Sequence, residues 1–453
     1  MSEMERRALL GVAGVAGLAA LAKAGPINPP AGAVAPTGKS LQEIADKVAR
    51  TDAGLAEART PISTSTTPGN IATQFRITQP GSYYLTGNIS VSGLNAIEIV
   101  SARVTLDLNG FTITGNGAAG TIGITAGTGA SALVVRNGRV TGFGGSGISL
   151  TGESCVVQDV HSTNNVGSGI ALTNNAGRVD RCHGSDNGGS GIVVGPAGNV
   201  VASLALRNGV NGIVLGSHAV ATACTSSLNT GDGFSGSGAC IGCTSTNNGD
   251  DGFASCVLIE SCYAFSNDGD GFTLCDVIHR SVANSNTGNG AGAAGLVTDS
   301  FFELNSGGGV SLNTAGAIHR CVLSSNGSAS TTANITAASR CTVAHNTVSY
   351  GGNGIVASNQ SIVEHNCVFS SGTTTNICNG IDVTIGVVIR NNMVSSASGA
   401  GYEYGGGCIV VGNGADGSTG GAFVTSSGTP FVGPIISSAA NMATAGAQAN
   451  FSV

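Results

Sequence analysis

An asparagine stands four positions before a glycine in a long succession of pairs: Asn165/Gly169, Asn187/Gly191, Asn208/Gly212, Asn229/Gly233, Asn248/Gly252, Asn267/Gly271, Asn286/Gly290 and Asn305/Gly309. The interval inside a pair never changes, while the spacing between pairs drifts from 22 residues to 19. A fixed corner inside a unit of variable length marks a stack of structural repeats, each of which buries its apolar side only against its neighbours.

Two more columns run in phase with the asparagines. Five residues before each stands Val160, Cys182, Ser203, Cys224, Cys243, Cys262, Ser281, Ser300 or Cys321. One residue after each glycine is apolar (Ile148, Ile170, Ile192, Ile213, Phe234, Phe253, Phe272), often with a second apolar residue two further on, as at Leu150, Leu172, Val194 and Leu215. A period of two is strand rather than helix. With several short strands and no helix in about twenty residues, the chain buries these columns by coiling, each strand stacking about 4.8 Å from its counterpart.

On these columns the chain resembles the right-handed parallel β-helix proteins of the pectate-lyase-like superfamily, over roughly residues 75 to 400. The resemblance implies an all-β, right-handed parallel β-helix solenoid. It implies little about function, because this scaffold hosts enzymes, adhesins and binding proteins alike. A stacked asparagine amide satisfies corner backbone groups and the amide of the next rung, so the asparagine ladder reads as structure rather than as a site.

Composition restricts the partners. The chain has 73 glycines and 9% charged residues, and from residue 71 onward 19 acidic residues face 11 arginines with no lysine. No basic stripe with interleaved aromatics exists for nucleic acid. Tryptophan is absent and aromatics are 4%, which weakens the case for tight binding of neutral glycans.

Glu5-Arg6-Arg7 opens a Gly/Ala/Leu run to Leu21, and Ala22-Lys23-Ala24 offers a small-x-small cleavage site. This reads as a signal peptide over 1–24, resembling the twin-arginine export signal, with no membrane span in the mature chain. The protein is therefore expected to be exported to a periplasmic, cell-surface or extracellular location. A Pro/Gly/Thr-rich linker over 25–70 is expected to carry a short helix at about 40–59, starting at the capping box Ser40-Leu41-Gln42-Glu43. N-terminal strands and a cap over 71–115 follow, with Pro80–Leu85 and Val104–Phe111 as hairpin strands and the first rung. The β-helix itself is expected over 116–400 and a C-terminal cap and tail over 401–453. After Asn326 the phase is ambiguous between Cys341 and Asn346, and Asn346, Asn366 and Asn392 read as asparagines moved into the small-residue column.

The 13 cysteines are expected mainly as buried free thiols, with bridges between stacked neighbours as the alternative. In Cys240-Ile241-Gly242-Cys243, strand alternation puts the two side chains on opposite faces, which argues against a metal site.

The stretch 231–276 breaks the monotony with seven acidic residues and no lysine or arginine. Asp232, Asp251 and Asp270 each precede a corner glycine and should stack on successive rungs. Such Asp-Gly pairs can be plain turn chemistry. They can also be a calcium site, drawn from Asp250, Asp251, Asp268 and Asp270. A third reading is catalytic, with Asp251 as general acid between Asp232 and Asp270. Asn248-Gly249-Asp250-Asp251 resembles the paired-aspartate motif of polygalacturonases, but that family's Gly-His-Gly and Arg-x-Lys elements are missing. Further on, Arg280, Arg320, His345, His365 and Arg390 fall near equivalent outward positions, a discontinuous basic stripe suited to an anionic polymer and interrupted by Asp299.

Three functions fit. The first is an exported non-catalytic β-helix that presents a repetitive face to a polysaccharide, a cell surface or a protein. The second is a polysaccharide hydrolase or lyase centred on Asp232, Asp251 and Asp270. The third is a periplasmic metal-handling protein, because the repeat also resembles the β-helix of the copper-related NosD family.

Overall fold

The computed structural model describes residues 59–327, 332–372, 377–437, 446 and 448–452. The expected signal peptide and nearly all of the expected linker helix lie outside the described residues. Within them the chain forms short β-strands and no helix.

Each turn of the coil carries three strands, and each strand pairs in parallel with its counterpart one turn on. Ile213–Leu215, Val220–Thr222 and Thr225–Ser227 make one rung. They pair with Phe234–Ser235, Ala239–Ile241 and Thr244–Thr246 of the next. The all-parallel pairing stacks like on like, so Ile192, Ile213, Phe234, Phe253 and Phe272 form one inward column. Their burial removes apolar surface from water at about 25 cal/mol per Å². Phe234 and Phe253 stack with ring centroids 4.7 Å apart and planes within 5°.

The asparagine ladder is continuous from Asn165 to Asn326. Asn165 donates its backbone N–H and its Nδ2 to Oδ1 of Asn187 at 3.1 and 2.9 Å, and the same pair of bonds recurs at Asn229/Asn248 and Asn286/Asn305. Each amide is buried, so these bonds replace lost hydration on the inside of a corner. Beyond Asn326 a second ladder takes over in the small-residue column: Cys321 donates its N–H to Oδ1 of Asn346 at 3.0 Å, and Asn346, Asn366, Asn392, Asn413 and Asn450 follow in turn. Cys341 belongs to a different column, where its N–H meets Ser361 Oγ at 3.1 Å.

The corners use residues in the left-handed region. Arg181, Ala202, Ala223, Gly242, Ser261, Arg280, Asp299 and Arg320 have φ between 46° and 60° and occupy one column. Non-glycine residues pay local strain there, on the order of 1 kcal/mol. The stack holds them by rung-to-rung bonds such as Arg181 N–H to Val201 O at 3.0 Å.

This geometry corrects three expectations. Cys240 and Cys243 do not face opposite sides; both are buried, because the left-handed Gly242 (φ 60°) shifts the strand alternation by one position. Gly81–Tyr84 and Val104–Asp107 are not hairpin partners but parallel neighbours one full turn apart. The solenoid also does not stop at 400. Tyr402–Tyr404, Ile409–Val411 and Gly414–Asp416 pair in parallel with the preceding rung, and Asn413 continues the ladder through a stretch whose Gly/Ser richness hides the period.

Twelve of the 13 cysteines are buried and none is bridged; Cys367 alone is exposed. Burial lifts the thiols of Cys182 and Cys321 to about 12, so both are inert at neutral pH.

Candidate functional site

The acidic corner lies where the rungs shorten to 19 residues. The register Phe234↔Phe253↔Phe272 places Asp232, Asp251 and Asp270, each two residues earlier, in one column. Their spacing is fixed by backbone bonds from Gly233 N–H to Asp251 O and from Gly252 N–H to Asp270 O, both 2.9 Å.

The column has a structural task. Asn211 Oδ1 accepts the N–H of Asp232 at 2.9 Å, and Asp251 Oδ1 accepts the N–H of Asp270 at 2.7 Å. Asp270 Oδ1 takes the N–H of Asn289 at 2.6 Å, and Asn289 Oδ1 takes the N–H of Gly308 at 2.7 Å. Asparagine does this work at both ends of the column. Asp251 and Asp270 do it in the middle with an added charge, which turn chemistry does not require.

Asp250, one position before Asp251, turns toward the same point. Carboxylate oxygens of Asp232, Asp250 and Asp251 lie within 4.8 Å of one another, the one such cluster of potential metal ligands among the described residues. Asp250 is exposed while Asp232 and Asp251 are half-buried. Burial pushes the Asp251 carboxyl up to about 7, opposed by the Asp270 N–H and reinforced by the charges of Asp270, Asp250 and Asp232. Burial also raises Asp232, against a bond from Ser235. Among the described residues no arginine or histidine forms an ion pair with any member of the column.

Of the expected calcium set, the structure brings Asp250 and Asp251 together and adds Asp232. Asp268 is exposed on the neighbouring rung, its N–H bonded to Asn248 O, and Asp270 stays in the column without joining the cluster. Asp232 and Asp250 come from different rungs and different columns, so no spacing rule in the sequence pairs them.

The expected basic stripe is partly assembled. The register His279↔Thr298↔His319↔Ala344↔Glu364↔Arg390 puts Arg280, Asp299, Arg320, His345 and His365, each one residue later, on successive left-handed corners. Arg390 sits beside that column. Part of the stripe's charge is paired internally: Arg320 grips Asp299 with two bonds of 2.7 Å, Arg390 pairs with Glu364, and His365 lies 3.9 Å from Glu364.

The sequence reading missed a second carboxylate pair. Asp382 and Glu403 are register partners on adjacent rungs, in the same strand column as Ser235 and Thr273. Asn379 Nδ2 donates to Glu403 Oε2 at 2.7 Å, and burial followed by the Glu403 charge raises Asp382. Outward alternation at Ile381-Asp382-Val383 and Tyr402-Glu403-Tyr404 is the signal that could have paired them.

No protein-family model and no curated protein matches the chain. Among solved structures it is similar to a mannuronan C-5 epimerase A-module of Azotobacter vinelandii, at 13% identity over 78% of this chain and 90% of that one, TM-score 0.27. It is also similar to pectate lyase Pel9A, at 15% identity over 64% and 72%, TM-score 0.26. A tailspike protein of E. coli bacteriophage HK620 in complex with a hexasaccharide matches at 13% identity over 86% and 75%, TM-score 0.25. The chain is a parallel β-helix of about 17 turns. Its strand registers, parallel from one turn to the next, define that fold.

Proposed function

We propose that the protein binds an extended surface polymer, a polysaccharide, along the solenoid, and that Asp232, Asp250 and Asp251 engage it through a calcium ion. The observation that supports this reading is the convergence of three carboxylates within 4.8 Å without an internal cation. Anions this close call for a proton or an external cation. Calcium takes six to eight oxygen ligands, so three aspartates leave positions for hydroxyl or carboxylate oxygens of a sugar. A solenoid with a repeat of about 4.8 Å offers an elongated polymer many equivalent contacts. Export, which Glu5–Leu21 predicts, puts the protein where such polymers occur.

A second reading, hydrolysis, is favoured by one observation. A carboxyl raised to about 7 stays largely protonated below neutrality and can act as general acid, with the Asp232 and Asp270 carboxyls on the flanking rungs. The metal-handling reading draws no support from thiols that are nearly all buried.

The test is incubation of the full chain with calcium on a panel of acidic and neutral polysaccharides, reading retention and product chain length beside Asp251→Asn. Retention that chelator abolishes, with polymers intact, supports calcium-mediated binding. Shortened products lost in the variant move the assignment to hydrolysis, and neither retention nor cleavage on any polymer overturns both.

A further inference from the structure

Arg139, His161 and His183 stand one above another on three successive rungs. His161 is the register partner of Arg139 on one side and of His183 on the other. The imidazoles stack with centroids 4.2 Å apart and planes within 18°. Arg139 is exposed and both histidines are partly so. Beside them on the same sheet run the hydroxyls of Thr141 and Thr163, whose Oγ1 atoms are 3.5 Å apart.

No carboxylate among the described residues pairs with any of the three. The acidic groups nearest in sequence are committed elsewhere: Asp159 to Arg181 by bonds of 2.8 and 3.0 Å, and Asp186 to Arg207 by bonds of 2.7 and 2.9 Å. Asp180 faces Arg178 and Arg181, and Arg136 across the corner is paired with Asp107. The rungs on either side contribute Thr112 and Leu204, which carry no charge. Burial, then the charges of His183 and Arg139, hold His161 below the ordinary histidine range.

The molecule contains its own comparison. His345 and His365 form a second stacked pair, centroids 4.8 Å apart and planes within 10°. That pair has Glu364, which also bonds Arg390, 3.9 Å from His365. The Arg139/His161/His183 column repeats the motif with no carboxylate among the described residues in ion-pair range, so the charge of Arg139, joined by the imidazoles when they are protonated, is open to an anion from outside.

We propose that Arg139, His161 and His183 form a binding site for the oxyanions, sulfate or carboxylate, of an anionic polymer. Two rung spacings set the span at about 10 Å, enough for charged groups on neighbouring units of a chain. Arg139 offers a two-pronged fork, protonated His161 and His183 offer ring N–H donors, and the threonine hydroxyls complete the polar surround. Since only the imidazolium forms add charge, binding strengthens as pH falls through the histidine range and weakens above it. The site lies on a different strand column from the acidic corner and does not depend on it.

The test uses histidine ring resonances of the full chain, which has seven histidines, with His161→Gln and His183→Gln as assignments. Sulfate, compared with chloride at equal ionic strength, should raise the titration midpoints of His161 and His183 by about half a pH unit, roughly threefold in proton affinity, and leave His345 and His365 unmoved. Arg139→Gln, an exposed substitution, should at least halve the shift. Dextran sulfate should act at a lower concentration of sulfate groups than the free ion, and neutral dextran should have no effect. The proposal is overturned by no shift, by equal shifts at all four histidines, by an unaffected Arg139→Gln, or by dextran sulfate acting no better than free sulfate. Asp251→Asn should keep the response, so its failure is distinguishable from failure of the calcium-mediated reading.

Discussion

The side chain of Asp251 accepts the backbone N–H of Asp270 on the next rung at 2.7 Å, the same bond that Asn289 makes to Gly308 at 2.7 Å. A carboxylate therefore occupies a position where an amide would serve the backbone equally well. What the aspartate adds is charge, and the structure gives that charge two carboxylate neighbours rather than a partner.

Asp251→Asn should therefore fold and keep its rung. The folded protein holds the Asp251 proton up to about pH 7 while an unfolded aspartate releases it near 3.8. The native state binds more protons across that window, so wild-type stability falls as pH rises through it. After discounting for solvent screening of a half-exposed group, the loss across the window amounts to about 1 to 2 kcal/mol. Urea melts at pH 4.5 and 7.5 should show the variant gaining on wild type at the higher pH. Parallel loss of stability in both proteins would refute the raised carboxyl.

Calcium should relieve the same repulsion. With excess calcium the melting temperature should rise by several degrees at neutral pH and return in chelator, and Asp250→Ala should abolish the response. An unchanged melt in chelator removes the calcium site. Asp268→Ala should respond like wild type, because Asp268 stands outside the cluster.

The ladder itself should be costly to interrupt. Asn248 Nδ2 bonds Asn267 Oδ1 and Ser245 Oγ, both at 2.9 Å, while its Oδ1 accepts from the amide and the backbone of Asn229. Asn248→Ala leaves several buried groups unpaired and should cost about 2 to 4 kcal/mol. The exposed neighbour change Asn247→Ala should cost far less. Chemical denaturation of the two variants makes the comparison, and equal losses would contradict the buried-ladder account.

Native protein should present one reactive thiol. A maleimide should label Cys367 quickly and the remaining twelve cysteines only after unfolding. Rapid labelling of several cysteines in native protein would mean that the columns open to solvent.

Much of the chain was legible because a stack converts sequence spacing directly into neighbours. Asn165 and Asn187 are 22 residues apart and touch, and the same arithmetic places Phe234 on Phe253 and Asp232 on Asp251. It worked even after Asn326, where Asn346, Asn366 and Asn392 do stand in the small-residue column. It stopped at 400 although Tyr402-Glu403-Tyr404 keeps the strand alternation there, because glycine and serine surround that strand and blur the repeat.

By itself the sequence determined the coil, the inward columns and the aspartate stack, since each depends on translation from one rung to the next, and repetition along the chain encodes that translation. Only the tertiary structure decided what meets around a corner. Left-handed residues such as Gly242 reset strand alternation, so Cys240 and Cys243 both turn inward. Asp250 reaches Asp232 across both a rung and a column. Whether a stacked histidine finds a carboxylate is likewise decided at the corner: Glu364, the residue before His365, lies 3.9 Å from it, whereas Asp159, two residues before His161, turns to Arg181. Such meetings are set by corner angles, and the repeat spacing does not record them.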